Sequence, residues 1–96
     1  MATRDTYRTN NGKYYFTIIF EDQGNFYYAH ILTQPNYSGR DNDGHSTHRL
    51  ESDYPGCSYR ICFGNDNNVR TLSLVRKYAE AWCEATSKYI DYGINF

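Results

Sequence analysis

Residues 13–32, KYYFTIIFEDQGNFYYAHIL, alternate with the two-residue period of a β-hairpin, yet both faces of that hairpin are apolar. In its first half Phe16, Ile18 and Phe20 point one way, and Tyr15, Thr17 and Ile19 the other. EDQGN (21–25) has turn chemistry, with Gly24 free to take a positive φ. The second half, 25–33, sets Phe26, Tyr28, His30 and Leu32 against Tyr27, Ala29 and Ile31. A hairpin on a small domain ordinarily buries one face and wets the other. This chain must therefore cover two faces of one ribbon.

Only one strong covering element follows. From about residue 69 or 71 to residue 92 the period becomes helical, with Leu72, Val75, Ala79, Trp82, Thr86 and Tyr89 in a stripe. Leu74, Tyr78, Ala81 and Ala85 widen it. Arg76, Lys77, Glu80, Glu84, Lys88 and Asp91 form the wet side, where Arg76–Glu80 and Glu84–Lys88 are i,i+4 pairs. Asp66, Asn67 and Asn68 are N-cap candidates, and Gly93 stands where a helix C′ residue belongs. Between hairpin and helix, TQPNYSGRDNDGHS (33–46) has loop composition and THRLE (47–51) is a weak strand. SDYPG (52–56) is a turn, and CSYRICF (57–63) is a firmer strand.

Ninety-six residues fit one domain. The expected fold is α+β: an antiparallel three- to four-stranded β-meander packed on one long C-terminal α-helix, in the order ββββα. Residues 13–96 make the domain, and residues 1–12 read as a loose N-terminal arm or at most a short edge strand, closed by the turn signal TNNG. Four strands about 4.8 Å apart span roughly 15–20 Å, whereas a helix is about 10–12 Å across. One helix covers one face. The other is expected to carry Tyr15, Ile19, Tyr27, Ala29 and Ile31 as an interface, with Tyr14 and Tyr28 as alternates if the strand phase is reversed.

Composition points the same way. Eleven Tyr, five Phe and one Trp make the chain 18% aromatic, and Tyr favours interfaces because it joins an apolar ring to a polar tip. The leading expectation is a non-enzymatic interaction module that binds a protein partner or a second copy of itself as a homodimer. A net charge of −1 gives nothing to attract a polyanion, so nucleic acid is not an expected partner. No segment reaches the roughly 20 apolar residues of a membrane helix. The polar opening and the odd set of Cys57, Cys62 and Cys83 fit a reducing, cytoplasmic setting rather than a disulfide scaffold.

Chemical groups gather only between positions 41 and 53, in DNDGHSTHRLESD. His and carboxylate at short spacing can bind a divalent metal or supply a general base, so Asp43, His45 and His48, with His30, form an alternative metal or hydrolase set. Aligning Gly44 with the invariant glycine of a calcium loop places Gly39 and Leu50 at carboxylate positions, which excludes that motif. Cys57 and Cys62 are not a CxxC pair, and there is no GxSxG, P-loop or GxGxxG, so no cofactor is expected. A second alternative is a small-molecule pocket between sheet and helix with Trp82 as a wall.

The run AEAWCEATSKYIDYG (79–93), following YRICF (59–63), resembles a pattern in small uncharacterised accessory proteins of mobile elements, plasmid-related or encoded on integron gene cassettes. Trp82, Thr86, Tyr89 and Ile90 carry the resemblance, which covers about a third of the chain; Cys83 stands where the pattern has Ala. It implies a bacterial, accessory, cytosolic context and transfers no catalytic residue.

Overall fold

The computed structural model describes residues 2–96. Five strands, β1 (Ala2–Arg8), β2 (Tyr15–Asp22), β3 (Tyr27–Thr33), β4 (Arg49–Glu51) and β5 (Tyr59–Ile61), form one antiparallel sheet in the order β1-β2-β3-β5-β4. A single helical turn, α1 (Gly44–Thr47), precedes β4, and the long helix α2 (Leu72–Tyr92) closes the chain. The fold is α+β as expected, with one strand more. It departs from a simple meander because β5 lies between β3 and β4.

Residues 2–8 are not a loose arm but an edge strand, the other reading the sequence allowed, and a longer one than expected. All seven residues of β1 pair with β2, from Ala2 opposite Glu21 to Arg8 opposite Tyr15. No apolar run announces this strand. Its alternation is polar, with Thr3, Asp5 and Tyr7 toward α2 and Arg4, Thr6 and Arg8 away from it. Side-chain bonds then hold it to the helix. The Arg76 guanidinium grips Asp5 with Nε and Nη2, at 2.7 and 3.1 Å, and the Tyr7 hydroxyl donates to Glu84 Oε2 at 2.6 Å. These partners replace the i,i+4 pairs anticipated within the helix.

The core lies between sheet and helix. Phe16, Ile18 and Phe20 of β2 meet Ala29 and Ile31 of β3, Ile61 of β5, and Val75, Ala79, Trp82 and Cys83 of α2. Trp82 fixes the depth of the helix, since its ring meets Phe16 edge-on at 5.6 Å and its indole N–H donates to the Thr47 carbonyl at 3.0 Å. A second cluster of Tyr37, Tyr89 and Ile90 pins the 34–43 loop to the last turns of α2. Beside it, buried Arg49 is sandwiched between the Tyr37 and Tyr59 rings and donates to Thr47 Oγ1.

Helix α2 starts later than its cap candidates suggested. Thr71 is the N-cap, its side chain accepting from the Leu74 N–H, while Asp66–Val69 form a separate 3-10 turn capped by Asn65. Gly93 ends the helix at φ 70, its N–H bonded to the Tyr89 carbonyl. Leu74 and Tyr78 are exposed, so the buried stripe is narrower than the sequence suggested. Trp82, Thr86, Tyr89 and Ile90 are all buried, so packing alone accounts for their spacing.

Candidate functional site

Register decides which side chains share the sheet face away from α2. Ile18 stands opposite Ile31 and Phe20 opposite Ala29, while Ile19 stands opposite His30 and Glu21 opposite Tyr28. Even-numbered residues of β2 thus share a face with odd-numbered residues of β3. The expected interface row mixed the two faces. Ala29 and Ile31 belong to the core, and Tyr27 is half-buried against it. Of the five, only Tyr15 and Ile19 lie on the outer face. Tyr15 is 56% exposed, with the Arg8 guanidinium 5.5 Å from its ring centre, whereas Ile19 is only 4% exposed.

What covers Ile19 and His30 is the chain itself. The 52–58 segment, SDYPGCS, folds back across the outer face. Its neck is closed by the Ser52 N–H bonding to the Ser58 carbonyl, at 3.0 Å. Its tip is a turn in which the Cys57 N–H bonds to the Tyr54 carbonyl. Pro55 fixes φ at the first central position, and Gly56, at φ 83, supplies the left-handed second one. Gly56 comes against Leu32, the Tyr54 ring stacks on the His30 ring at 4.9 Å, and Cys57 lies within electrostatic reach of Arg4.

Beneath this loop three residues far apart in sequence form a hydrogen-bonded chain. His30 is fully buried; its Nε2 lies 2.9 Å from Glu21 Oε1 and its Nδ1 2.7 Å from Ser52 Oγ. A carboxylate can only accept, so Nε2 carries the ring proton, and the Nδ1 lone pair accepts the Ser52 hydroxyl. Gln23 Nε2 donates to the same Glu21 oxygen at 2.7 Å, and the Tyr54 N–H donates to Ser52 Oγ at 3.1 Å. Ser52 opens onto a shallow depression of about 290 Å³ lined by Tyr28, Glu51, Asp53 and Arg60. Arg60 stands opposite His30 in the β3–β5 register, and its guanidinium lies 4.1 Å from the centre of the Tyr28 ring.

The anticipated metal set does not assemble. Asp43 caps α1, its Oδ1 accepting from the Ser46 N–H at 2.7 Å, which with the Ser46 hydroxyl holds its carboxyl below the usual range. His48 Nε2 bonds to the Phe96 carbonyl, and His30 is committed to Glu21 and Ser52. Only His45 and His48 share a surface, an open groove of about 680 Å³ that Leu50, Cys62 and Phe96 also line. Among the described residues no group of three His, Cys, Asp or Glu is placed to hold a metal ion.

Trp82 is not a pocket wall either, being sealed between Phe16 and Thr47. A cleft of about 270 Å³ does separate β1 from α2; Ile18, Phe20, Ala79 and Cys83 lie along it, and Asp5, Arg76 and Glu80 stand among its polar groups. Burial pushes the Cys83 thiol far above its usual pKa, which keeps it unreactive.

Glu21 and Ser52 are the site residues that sequence reasoning missed, both read as turn. Glu21 had a signal, because in a hairpin closing at 22–27 it is a diagonal neighbour of position 30 on the same face. Ser52 had none. No family model, curated protein or solved structure matches the chain, and no helix among the described residues is long and apolar enough to cross a membrane.

Proposed function

We propose that this chain is an interaction module that pairs with a second copy of itself, and that the contact is the edge of its sheet rather than the face. The observation that carries this reading is the open edge of β1. That strand is bonded to β2 along its whole length without a bulge, holds no proline and, among the described residues, has no strand on its other side. Natural sheets usually blunt such an edge, as the opposite one here is blunted by the three-residue β4. The charges that could guard β1 are partly engaged: Asp5 by Arg76, and Arg8 by the Gly12 carbonyl and the Tyr15 ring.

A second copy suits this edge. Antiparallel pairing of two β1 strands about a two-fold axis at Asp5 sets Arg4 opposite Thr6, Thr3 opposite Tyr7 and Ala2 opposite Arg8. Asp5 with itself is the only like-charged pair directly opposite, and Arg76 already holds that carboxylate. A continuous ten-stranded sheet results, with both α2 helices on one side and Tyr15 one strand in from the seam.

Light scattering on a sizing column across a dilution series tests this. Dimer mass falling to monomer on dilution is expected, with the outward-facing β1 amides protected from hydrogen exchange only at high concentration. Thr6→Lys adds a cation opposite the partner's Arg4 on both sides of the two-fold axis and should raise the dissociation constant about tenfold, a change of about 1.4 kcal/mol. Thr6 is exposed, so the monomer should keep its fold. A monomer mass at every concentration overturns the proposal.

A further inference from the structure

The Glu21–His30–Ser52 chain does more than brace a loop, and it raises a question that self-association does not answer. We infer that Ser52 is a nucleophile activated by His30, and that the depression beside it receives a small uncharged ester. The parts are those of acyl transfer: a hydroxyl within bonding distance of an imidazole, and the imidazole oriented by a carboxylate on its other nitrogen. The ring is presented in reverse of the more familiar arrangement, with Nδ1 toward the serine, but the proton transfer is equivalent. Tyr54 and Tyr28 restrain the ring, stacked at 4.9 Å and edge-on at 5.8 Å, so that rotation away from either partner is blocked.

Ser52 is half-buried at the wall of the depression, whereas His30 beneath it is closed to water. A substrate therefore meets the hydroxyl first. In the forward step the Ser52 Oγ–H proton passes to Nδ1 as Oγ bonds to the ester carbonyl carbon and the carbonyl π electrons move to its oxygen. Collapse of that oxyanion breaks the bond to the alcohol oxygen, which takes the proton back from Nδ1–H. Water then attacks acyl-Ser52 by the same route, releasing the acid and restoring the hydroxyl.

Arg60 is the cation among the lining residues, and the register places it beside His30 on the same face, where it can face a developing oxyanion. Glu51 and Asp53 flank the serine and disfavour an anionic substrate, and the Tyr28 ring offers an apolar wall. The depression, about 290 Å³, has room for a short acyl group on a small alcohol or phenol. Glu21 touches no substrate here; it is a positioning residue that fixes the tautomer.

The first test uses the wild-type chain and a fluorophosphonate probe, with intact mass and peptide mapping as readout. One adduct per chain, on Ser52, is expected. It should be absent in Ser52→Ala and retained in Ser58→Ala, an exposed serine of the same loop. Hydrolysis of p-nitrophenyl acetate should follow the same pattern, falling to background in Ser52→Ala. Glu21→Gln should slow turnover by about 10²-fold, in the range of general-base contributions, and should displace the acidic limb of the pH–rate profile, which a loop brace alone does not do. No adduct on the folded wild-type protein, or an adduct that survives Ser52→Ala, overturns the inference. Because the wild-type labelling needs no variant to fold, the absence of an adduct there overturns the inference whatever the variants do. Labelling by the monomer and dimer fractions separately keeps this result distinct from the fate of the β1 pairing.

Discussion

Single side chains carry much of the order in so small a domain. Trp82 belongs to the hydrophobic core and also holds the Thr47 carbonyl, so it ties α2 to the turn that leads into β4. Trp82→Phe keeps a ring against Phe16 but removes the donor and leaves a void. Lost bond and void together should cost about 2–3 kcal/mol, or roughly 10–20 °C in Tm for a domain of this size by thermal denaturation. Thr86 is the opposite case. Its hydroxyl is buried with no partner at bonding distance among the described residues; the Tyr37 hydroxyl is near enough to feel it but donates weakly to Gln34 instead, at 3.4 Å. Thr86→Val keeps the shape and removes an unsatisfied group, and should raise Tm by about 4–8 °C, close to 1 kcal/mol. A fall in Tm would mean that the hydroxyl has a partner, such as a bound water.

At the level of elements, legibility followed periodicity. The helix and the hairpin strands were readable because burial imposes a 3.6- or two-residue repeat on their apolar positions. β1 was legible at most as a short edge strand, since TRDTYR buries no aliphatic side chain and is held as a strand by its neighbour and by Asp5 and Tyr7. The assignment of residues to faces failed for a different reason. The alternation within each strand was right, but which rows join depends on pairing, and a bulge between Thr17 and Ile18 shifts even that. Of the Glu21–His30–Ser52 chain only the Glu21–His30 half was within reach, because the 52–58 loop that brings Ser52 returns to the sheet through contacts no local pattern encodes. One tie between elements titrates. Lys13 Nζ and the Tyr14 hydroxyl, at 2.7 and 2.5 Å, both bond Asp91 Oδ1, joining the start of β2 to the end of α2 and holding that carboxyl below its usual pKa. A lowered carboxylate pKa stabilises the fold above the ordinary aspartate value near 3.8, and that contribution is lost as pH falls through the lower folded value. Asp91→Asn should therefore lower Tm at neutral pH and make its decline toward acid shallower, as seen in melts from pH 7 to pH 2.

Across the whole molecule, the two apolar faces of the hairpin are covered in unequal ways. α2 takes one with a continuous core, and a seven-residue loop takes the centre of the other, over His30. The aromatic surplus is spent largely inside this chain, on Trp82 against Phe16, Tyr37 against Tyr89, and Tyr54 over His30. The exposed rings and aliphatics that remain, Tyr15, Leu50, Leu74, Tyr78, Tyr92 and Ile94, are distributed over β2, β4, α2 and the tail. Sequence reading rightly demanded a cover for the second face but looked for it outside the chain. The unsatisfied feature that persists is a row of backbone groups along β1, not an apolar surface. An association built on main-chain hydrogen bonds, with little apolar area, should be weak and reversible, and it should couple to unfolding by mass action. Above the dissociation constant each tenfold rise in concentration adds about 1.4 kcal/mol per dimer. Shared between two protomers of this size, that is a Tm increase of about 3–6 °C. Calorimetric scans at graded concentrations should show this slope for the wild type, and Thr6→Lys should flatten it over the same range. A Tm independent of concentration in both would place the edge of β1 in solvent, its charges sufficient to keep it there.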